Sequence, residues 1–304
     1  MHSKVLITGG SGLLAVNWAL ATSESCKIFL GLHRRGINLI GADAVWLNIE
    51  SVDDLCKNLE KINPNIVINA AGYTNIELCE SYPNDAYFIN VTLATNVAKA
   101  CDKLGIKMVH ISTDHLFAGR ELFITEEKSV DPRNVYAQTK AMAECKVLEI
   151  NSQALVVRTN FFGWGTTYRR SFSDVIIDTL RAGKELILFT DVNFTPILIE
   201  NLALTVHDML KWNAYGIYHV VGDERVSKYE FGLRVANTFN LNHRNIIPGL
   251  MSNRTDLVKR PYEMSLSNQK TRDLLNRRLG DVNQYLDRLL LQQNEIATKK
   301  NYIY

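Results

Sequence analysis

The sequence predicts an α/β protein built on a doubly wound parallel sheet, with a second, smaller lobe that is mostly helical. Short apolar runs alternate with amphipathic, helix-like stretches through the first half of the chain. This alternation is typical of parallel sheets that carry helices on both faces. A glycine-rich segment follows the first apolar run, and the alternation loosens after about residue 160. Together these three observations indicate the fold class.

Six apolar runs in the first half predict strands that are buried on both faces. Strands of a parallel sheet are continuously apolar because helices cover both of its faces. The runs are Val5–Ile7, Ile28–Leu32, Val45–Leu47, Ile66–Ile68, Met108–Ile111 and Leu155–Val157. The stretches between them have helical periodicity, which predicts helices near residues 13–22, 52–60, 85–103 and 134–150.

The second half of the chain reads as mainly helical. Its periodicity predicts helices near residues 172–182, 198–211 and 227–240, with one short strand at Ile217–Val221. The last forty residues are charged and compatible with helix. We therefore expect this part to form a lobe that completes a cleft beside the sheet.

Composition excludes several classes of function. The 304 residues include 34 Lys+Arg and 32 Asp+Glu, which gives a formal charge of +2, and 46% of them are hydrophobic. These values are ordinary for a folded protein, and they provide no basic field for nucleic acid. No apolar run approaches the roughly 20 residues that a membrane span needs. We expect a globular enzyme or ligand binder with no nucleic-acid partner and no membrane partner.

The five cysteines predict reduced thiols in a cytoplasmic protein rather than a disulfide framework. They form no C-x-x-C pair, and no Cys/His cluster is present, so no metal site is expected. Residues 1–20 do not resemble a signal peptide, because the apolar stretch Val5–Ile7 runs directly into a glycine turn.

The glycine-rich segment predicts a dinucleotide site of the Rossmann type. Gly9, Gly10 and Gly12 allow a tight turn and a close backbone approach to a pyrophosphate at the start of a helix. The spacing is G-x-x-G-x-x-A, with Ala15 at the last position. We expect residues 1–162 to form the dinucleotide-binding domain and 163–304 to form mainly the substrate-binding lobe, with about 191–221 returning to the first domain. A glycine turn without a ligand is the alternative.

The end of the second strand predicts NADP(H) as the cofactor, with NADH as the second choice. No acidic residue lies between Glu24 and Asp43, whereas an NAD site usually has a carboxylate there. The strand runs instead into His33-Arg34-Arg35, and we expect Arg34 or Arg35 to bind the 2′-phosphate. A solvated basic turn is the alternative. Further cofactor contacts are expected from Ser11, Leu13, Leu14, Asn48 and Ile49.

Tyr136 and Lys140 are candidate catalytic residues. They lie four positions apart in a predicted helix and therefore share one face. A nearby cation favours the phenolate and brings the pKa of a tyrosine, ordinarily about 10, toward the working range. Thr113 follows a predicted strand at the end where open α/β sheets bind ligands, and its hydroxyl can hydrogen-bond a substrate oxygen. The alternative for Ser112 and Thr113 is that they cap the loop.

Together these segments resemble extended short-chain dehydrogenases/reductases, and most closely the dTDP-4-dehydrorhamnose reductase family. The resemblance covers nearly the whole chain. It rests on Thr8–Gly12, Asn69–Thr74, Glu77, Glu80, Pro83, Ser112–Gly119, Tyr136 with Lys140, Arg158-Thr159, Asp191 with Pro196, Gly216–His219 and Arg260-Pro261.

The resemblance implies a reductase of the 4-keto group of a nucleotide-linked 6-deoxyhexose that uses NADPH or NADH. Thr113, Tyr136 and Lys140 fall on the catalytic positions, with Tyr136 as the general acid and Lys140 also holding the nicotinamide ribose. The resemblance further implies a nucleotide-diphosphate sugar as the substrate and a homodimer as the assembly. The positions implied to line the cofactor are Gly9, Gly12, Ala70, Ala71 and Gly72.

Two departures from the family pattern fall where the substrate should be recognised. The D-Q-x-G-x-P-T stretch of the family reads Asp191–Ile197 here, and its R-T-S-W-V-Y segment reads Arg158–Gly163. The identity of the sugar is therefore open. Phe162 or Trp164 either stacks on a nucleotide base or packs in the core. Candidates for the diphosphate are Arg169, Arg170, Arg225 and Arg260.

Two other functions remain as alternatives. A dehydratase or epimerase of the same fold is disfavoured, because His115 stands where dehydratases have a second acid after Asp114, and because the carboxylate expected for tightly bound NAD is missing. A non-catalytic NADP-binding subunit, similar to the regulatory subunit of methionine adenosyltransferase, is disfavoured by the intact set of Thr113, Tyr136 and Lys140.

Overall fold

A seven-stranded parallel sheet forms the centre of the computed structural model, which describes residues 2–166 and 168–299. Its strand order is β11-β6-β5-β4-β1-β2-β3. The strands in chain order are β1 (Ser3–Thr8), β2 (Cys26–Leu32), β3 (Ala42–Trp46), β4 (Ile66–Asn69), β5 (Lys107–Ile111), β6 (Leu155–Arg158), β7 (Phe161–Phe162), β8 (Leu186–Phe189), β9 (Asn193–Phe194), β10 (Ile197–Leu198), β11 (Gly216–His219), β12 (Val226–Ser227), β13 (Ile246–Gly249) and β14 (Glu263–Met264).

Helices cover both faces of this sheet. The α-helices are α1 (Leu13–Thr22), α2 (Val52–Ile62), α3 (Ile76–Ser81), α4 (Pro83–Tyr87), α5 (Leu93–Leu104), α6 (Val135–Ile150), α7 (Phe172–Arg181), α8 (Ile199–Lys211), α9 (Lys228–Thr238), α10 (Gln269–Leu275) and α11 (Val282–Lys299). One apolar core joins the sheet to α1 and α8, and a second joins its other face to α2, α5 and α6. The predicted class, a Rossmann-like doubly wound α/β fold, is confirmed.

The second half of the chain contributes both to the lobe and to the central sheet. Helices α7, α9 and α11 pack together, and three small sheets, β10-β7, β12-β9-β14 and β13-β8, lie among the described residues of this part. Strand β11 returns to the central sheet, where it pairs with β6, and α8 packs against α1. The boundary near residue 162 stays a prediction.

Some predicted elements differ in the structure. The helix expected over residues 85–103 is divided into α4, a π-helical turn at Phe88–Thr92, and α5. A π-helical turn inserts an extra residue into the helical repeat, which the apolar periodicity does not reveal. The third strand begins at Ala42 rather than at Val45, and the helical signal of the last forty residues divides into α10 and α11.

The strand order determines where a ligand fits. Strand β1 has β2 on one side and β4 on the other, so the chain direction of the crossovers reverses between β1 and β4. Open α/β sheets bind their ligands at the carboxyl ends of the strands beside such a reversal. Thr8 and Asn69 end these two strands in register.

No helix among the described residues is long and apolar enough to cross a membrane. Within the same residues, no group of three or more His, Cys, Asp or Glu side chains is arranged to hold a metal ion.

Candidate active site

The glycine loop packs tightly between β2 and the segment that follows β4. Gly9 has a φ of +67°, and a Cβ there would lie 3.1 Å from the Ala71 backbone. A Cβ on Gly10 would lie 2.8 Å from Leu30. Gly12 is the N-cap of α1 and provides no side-chain acceptor to the first N–H groups of the helix. A loop that only glycines can form, followed by uncapped helix N–H groups, fits a dinucleotide pyrophosphate.

A cavity of about 250 Å³ opens beside this loop. Its lining includes six of the predicted cofactor residues, which are Gly9, Ser11, Arg34, Arg35, Ile49 and Ala71. Thr8, Gly10 and His33, which belong to motifs named from the sequence, also line it. The structure adds residues that the sequence did not single out, which are Gly31, Leu32, Leu47, Glu50, Phe88, Ile89 and Leu93. The lining combines basic side chains with apolar walls, a combination that fits the phosphates and the adenine of NADP.

The remaining predicted cofactor residues do not line this cavity. They are Gly12, Leu13, Leu14, Asn48, Ala70, Gly72 and Lys140. The Leu14 side chain is buried in the core, and the Asn48 amide donates to Asp54 Oδ2 at 3.1 Å. Position on a loop or at a helix start, read from sequence, does not reveal which way the side chain turns.

Glu50 is an acidic cavity residue that the sequence analysis missed. Glu50 follows β3, whereas the sequence analysis looked for a carboxylate only at the end of β2, between Glu24 and Asp43. Its Oε1 lies 3.3 Å from His33 Nε2. The Arg35 guanidinium lies 4.8 Å from the centre of the Tyr168 ring, and the Tyr168 hydroxyl donates to the Ser11 carbonyl. The basic turn therefore has one carboxylate as its neighbour in the cavity.

A ladder of polar side chains supports the segment after β4. The Thr8 hydroxyl donates to Asn69 Oδ1 at 2.7 Å, and Asn69 Nδ2 lies 3.0 Å from His110 Nδ1. The Ala71 N–H donates in turn to Thr8 Oγ1 at 3.2 Å. Burial keeps the pKa of His110 well below its usual value, so this histidine is neutral. The ladder links the ends of three adjacent strands under the cavity.

Tyr136 lies at the start of α6, where the N-cap Asn134 accepts a hydrogen bond from the Ala137 N–H at 2.9 Å. The phenol is buried, and burial raises the pKa of Tyr136 to about 12, while a hydrogen bond with Thr113 lowers it in part. We expected a nearby cation to bring this pKa down toward neutrality, and that expectation was wrong. The phenol therefore keeps its proton throughout the neutral range.

Lys140 is buried on the same face of α6. Its ammonium donates to the Ile111 carbonyl at the end of β5, at 2.7 Å. Burial lowers the pKa of Lys140 to about 8, and the Glu144 carboxylate one turn further along the helix opposes that shift. The structure thus brings Thr113, Tyr136 and Lys140 to the carboxyl end of β5.

Asn90 is a second residue that the sequence analysis missed. It lies in the π-helical turn, and its side-chain oxygen accepts from the Tyr73 N–H at 2.7 Å. Its amide donates to Thr139 Oγ1 at 3.0 Å and to the Tyr73 carbonyl at 3.1 Å. π-Helical turns occur often at functional sites, but an asparagine in an apolar stretch carries no sequence signal of its own.

Two of the four candidate arginines reach across the cleft toward α3. Arg169 donates to Thr74 Oγ1 at 2.7 Å, and Arg260 forms an ion pair with Glu77. The other two are engaged elsewhere, Arg170 with Asp178 and Arg225 with Glu263.

The aromatic candidates for base stacking lie in the core. Phe162 packs edge-on against Phe231 and Tyr285, and Trp164 packs against Phe239 and donates to the Leu289 carbonyl at 3.0 Å. Both side chains are buried. Of the two alternatives, core packing is therefore correct.

Comparisons with known proteins agree with this arrangement. A family model described as RmlD substrate binding domain matches residues 3–294. A probable low-salt glycan biosynthesis reductase of Haloferax volcanii is 29% identical over 233 residues, which are 75% of this chain and 78% of that protein. Methionine adenosyltransferase 2 subunit beta of Rattus norvegicus is 28% identical over 259 residues, 81% of this chain and 75% of that protein.

The fold is also that of a solved reductase. A crystal structure of dTDP-4-dehydrorhamnose reductase from Bacillus anthracis in complex with NADP superposes with a TM-score of 0.84 at 25% identity. The superposition covers 96% of this chain and 100% of that one.

Proposed function

Because the chain belongs to the RmlD substrate binding domain family, we propose that it reduces the 4-keto group of a nucleotide-linked 6-deoxyhexose with NADPH. One observation carries this proposal. A buried tyrosine, Tyr136, has Thr113 as a hydrogen-bond partner and Lys140 on the same helix face, at the same carboxyl edge of the sheet as the dinucleotide loop. This set is what carbonyl reduction requires, since the oxygen of the carbonyl needs a proton donor.

The cavity residues support NADPH as the cofactor. Arg34 and Arg35 supply positive charge for a 2′-phosphate, and Gly9 with Ser11 lets a pyrophosphate approach the backbone. When bound, NADPH supplies a hydride to the carbonyl carbon. The solved Bacillus anthracis reductase was crystallised with NADP. NADH is the second choice, because no feature of the cavity other than its charge distinguishes the two.

The proton for the new hydroxyl comes from Tyr136. The high pKa of its phenol keeps the proton available at neutral pH. Thr113 binds the carbonyl oxygen through its hydroxyl and aligns it with the phenol. The Lys140 ammonium supplies positive charge near the phenolate that forms as the proton leaves, and a fixed charge in a buried site stabilises such a developing charge strongly.

The diphosphate of the substrate is assigned to Arg169 and Arg260. Their present partners, the Thr74 hydroxyl and the Glu77 carboxylate, are oxygen acceptors on the opposite side of the cleft. A diphosphate between the two sides offers the same type of acceptor, and arginine is well suited to phosphate because of its planar set of donors. Arg170 and Arg225 pair with Asp178 and Glu263 of their own half of the chain rather than across the cleft, and they are not part of this assignment.

A panel of nucleotide-linked 4-keto-6-deoxy sugars, assayed by the decrease in NADPH absorbance, tests the proposal. Wild type is expected to reduce at least one member. Tyr136→Phe is expected to lose turnover while its dissociation constant for NADPH stays close to that of wild type. Turnover retained by the phenylalanine variant contradicts the assignment of the proton donor.

A second candidate function is a non-catalytic regulatory subunit, favoured by the similarity to methionine adenosyltransferase 2 subunit beta. The test is a pull-down with the tagged chain. A stoichiometric enzyme partner together with no turnover on the sugar panel favours this candidate.

Dehydration is disfavoured. The position where a dehydratase needs a second acid holds His115, and burial lowers the pKa of this histidine.

We also propose a homodimer as the assembly. Helices α4 and α6 pack against each other, and Tyr82, Tyr87 and Met142 on and beside them are exposed. An exposed group of large apolar side chains is typical of a contact surface. Light scattering of the purified protein gives the mass directly, and a monomer at micromolar concentration contradicts this proposal.

A further inference from the structure

The backbone of Lys228, the first residue of α9, is fixed independently of any ligand. Ser227 and Glu230 form a reciprocal capping box, in which the Glu230 N–H donates to the Ser227 hydroxyl at 3.0 Å and the Ser227 N–H donates to the Glu230 carboxylate at 2.7 Å. The Lys228 N–H donates to the Val192 carbonyl at 2.9 Å. The side chain therefore leaves the backbone at a well-defined point.

The Lys228 ammonium is held over two aromatic rings. It lies 3.3 Å from the centre of the Phe194 ring and 4.6 Å from the centre of the Phe172 ring. Cation–π attraction retains it there. Burial lowers the pKa of Lys228 to about 8, and the negative charge of Asp114 opposes that shift. Within the described residues, no oxygen accepts a hydrogen bond from this ammonium.

Asp114 is already engaged by other donors. Asn160 donates to one of its oxygens at 2.5 Å, and the Thr113 hydroxyl donates to the other at 3.3 Å. Lys228 and Asp114 influence each other without forming an ion pair. The Lys228 side chain is half-buried and, among the described residues, its ammonium has no protein oxygen as an acceptor, so its donors are available to a ligand.

His115 connects this ammonium to the reacting position. Its ring lies edge-on to the Tyr136 ring at a centroid distance of 5.8 Å, and its Nδ1 is buried without a hydrogen-bond partner. Burial lowers the pKa of His115, Asp114 opposes this, and the charge of Lys228 lowers it further. Lys228 therefore acts on a group that touches the proton donor.

We propose that Lys228 is a specificity residue that donates a hydrogen bond to the C3 hydroxyl of the 4-keto hexose, and that its charge excludes sugars with an ammonium at C3. This rests on the proposed function, because the C4 carbonyl must lie at Tyr136. In a 6-deoxyhexose, the carbons beside C4 are C5, which carries the methyl group, and C3, which carries the hydroxyl. We therefore place the Lys228 ammonium on the C3 side, where its donors meet a hydroxyl rather than a methyl group.

The sequence departs from its family beneath this ammonium. Phe194 stands at the glycine position of the D-Q-x-G-x-P-T pattern, and glycine has no ring to hold a cation. The pair of Lys228 and Phe194 thus depends on a residue that the family pattern lacks, and we assign this pair to recognition of the sugar. Rejection of a cationic sugar by a fixed positive charge is specificity by repulsion, and acceptance of a hydroxyl is specificity by hydrogen bonding.

The test compares kcat/KM at saturating NADPH for nucleotide-linked 4-keto-6-deoxyhexoses with a 3-hydroxyl, a 3-deoxy and a 3-amino group. Wild type is expected to prefer the 3-hydroxyl sugar over the 3-deoxy sugar by about 10- to 100-fold, which is the value of one hydrogen bond to a charged group. Lys228→Met keeps the length of the side chain without its charge. It is expected to reduce this ratio to about unity and to raise turnover of the 3-amino sugar.

Control variants separate recognition from a structural role. Lys228→Arg, which keeps the charge, is expected to retain the preference, and Lys184→Met, at an exposed position outside the cleft, is expected to behave as wild type. An unchanged ratio in Lys228→Met overturns the proposal for Lys228 alone, as does an equal loss on all three sugars together with weaker NADPH binding. If wild type reduces none of the sugars, the proposed function is overturned and the role of Lys228 falls with it.

Discussion

The side-chain amide of Asn90 donates a hydrogen bond to the hydroxyl of Thr139 at 3.0 Å, and this bond joins the π-helical turn to α6 between Tyr136 and Lys140. The Thr139 hydroxyl donates in turn to the Tyr136 carbonyl at 2.9 Å. The same asparagine binds the backbone of Tyr73 through both its oxygen and its amide. The Asn90 side chain thus fixes the segment after β4 against α6, the helix that carries Tyr136.

Asn90→Ala is therefore expected to weaken both folding and turnover. It leaves the half-buried Tyr73 N–H and the buried Thr139 hydroxyl without their partner, which costs about 1–3 kcal/mol of unfolding free energy. We expect kcat to fall more than the affinity for NADPH. Asn58→Ala is a matched control, since the Asn58 amide donates only to the Asp54 carbonyl of its own helix. Chemical denaturation and steady-state kinetics measure both effects, and equal behaviour of the two variants contradicts the role of Asn90.

The reduction rate is expected to decline at alkaline pH because of Lys140. The folded pKa of this group is lowered from 10.5 to about 8, so its ammonium is present below that pH and is lost as the pH rises through it. We expect kcat, measured at saturating sugar and NADPH, to be level near neutrality and to fall above about pH 8. Tyr136 does not contribute to this limb, because its pKa is raised to about 12.

Two variants identify the source of the alkaline limb. Lys140→Arg keeps a cation at every accessible pH, so its residual activity should lack the decline. Lys228→Met should keep the decline, although the pKa of Lys228 is also lowered to about 8. If the alkaline decline disappears in Lys228→Met and persists in Lys140→Arg, its source is Lys228 and the assignment to Lys140 is wrong.

Cofactor preference is expected to depend on the balance between Arg35 and Glu50 in the cavity. Arg35→Met removes positive charge from the site of the 2′-phosphate, so the dissociation constant for NADPH should rise about tenfold, with little change for NADH. Glu50→Gln removes a carboxylate from the same cavity, so NADPH should bind a few-fold more tightly. Fluorescence titration with both cofactors measures these changes. Arg181→Met, at the end of α7, is the control, and loss of NADH affinity equal to that of NADPH in Arg35→Met would falsify the assignment.

Arg158 and Glu144 form a buried ion pair that is expected to be important for stability. Arg158 donates to Glu144 through Nε and Nη2 at 2.8–3.1 Å, and less than 5% of either side chain is exposed. Arg158→Met leaves the Glu144 carboxylate buried without compensation, which costs about 3–5 kcal/mol of unfolding free energy. The double variant Arg158→Met/Glu144→Met should recover most of this loss, because neither member of the pair then remains buried as an unpaired charge. Urea denaturation checks both values, and a double variant as unstable as the single one contradicts the argument.

Much of the fold could be predicted from sequence because the relevant signals are local. Continuously apolar runs locate the strands of a sheet covered on both faces, and the glycine loop identifies the first strand-to-helix junction. Tyr136 and Lys140 share a helix face by spacing alone. Each of these inferences needs only a few neighbouring residues, so each is available before the chain is folded.

The missed residues depend on contacts between distant parts of the chain. Glu50 enters the cavity from the loop after β3, and Asn90 turns inward because of a single π-helical turn. Lys228, at the start of α9, lies over the Phe194 ring and is influenced by the charge of Asp114, which follows β5. The direction of the pKa shift of Tyr136 was also unavailable, because it follows from burial, which only the folded structure reveals. Pattern analysis of a single segment cannot supply such information.

Strand β11 has a consequence for attempts to dissect the molecule. It completes the central sheet from Gly216–His219, after the chain has already contributed α7 and several small strands to the lobe. A fragment that stops at residue 162 would leave the edge of β6 open to association with other chains. Residues 1–162 therefore do not form an independent domain that a single cut in the chain could separate for expression or exchange. Any recombination that preserves the sheet must carry the segment around residues 199–219 along with the first 162 residues.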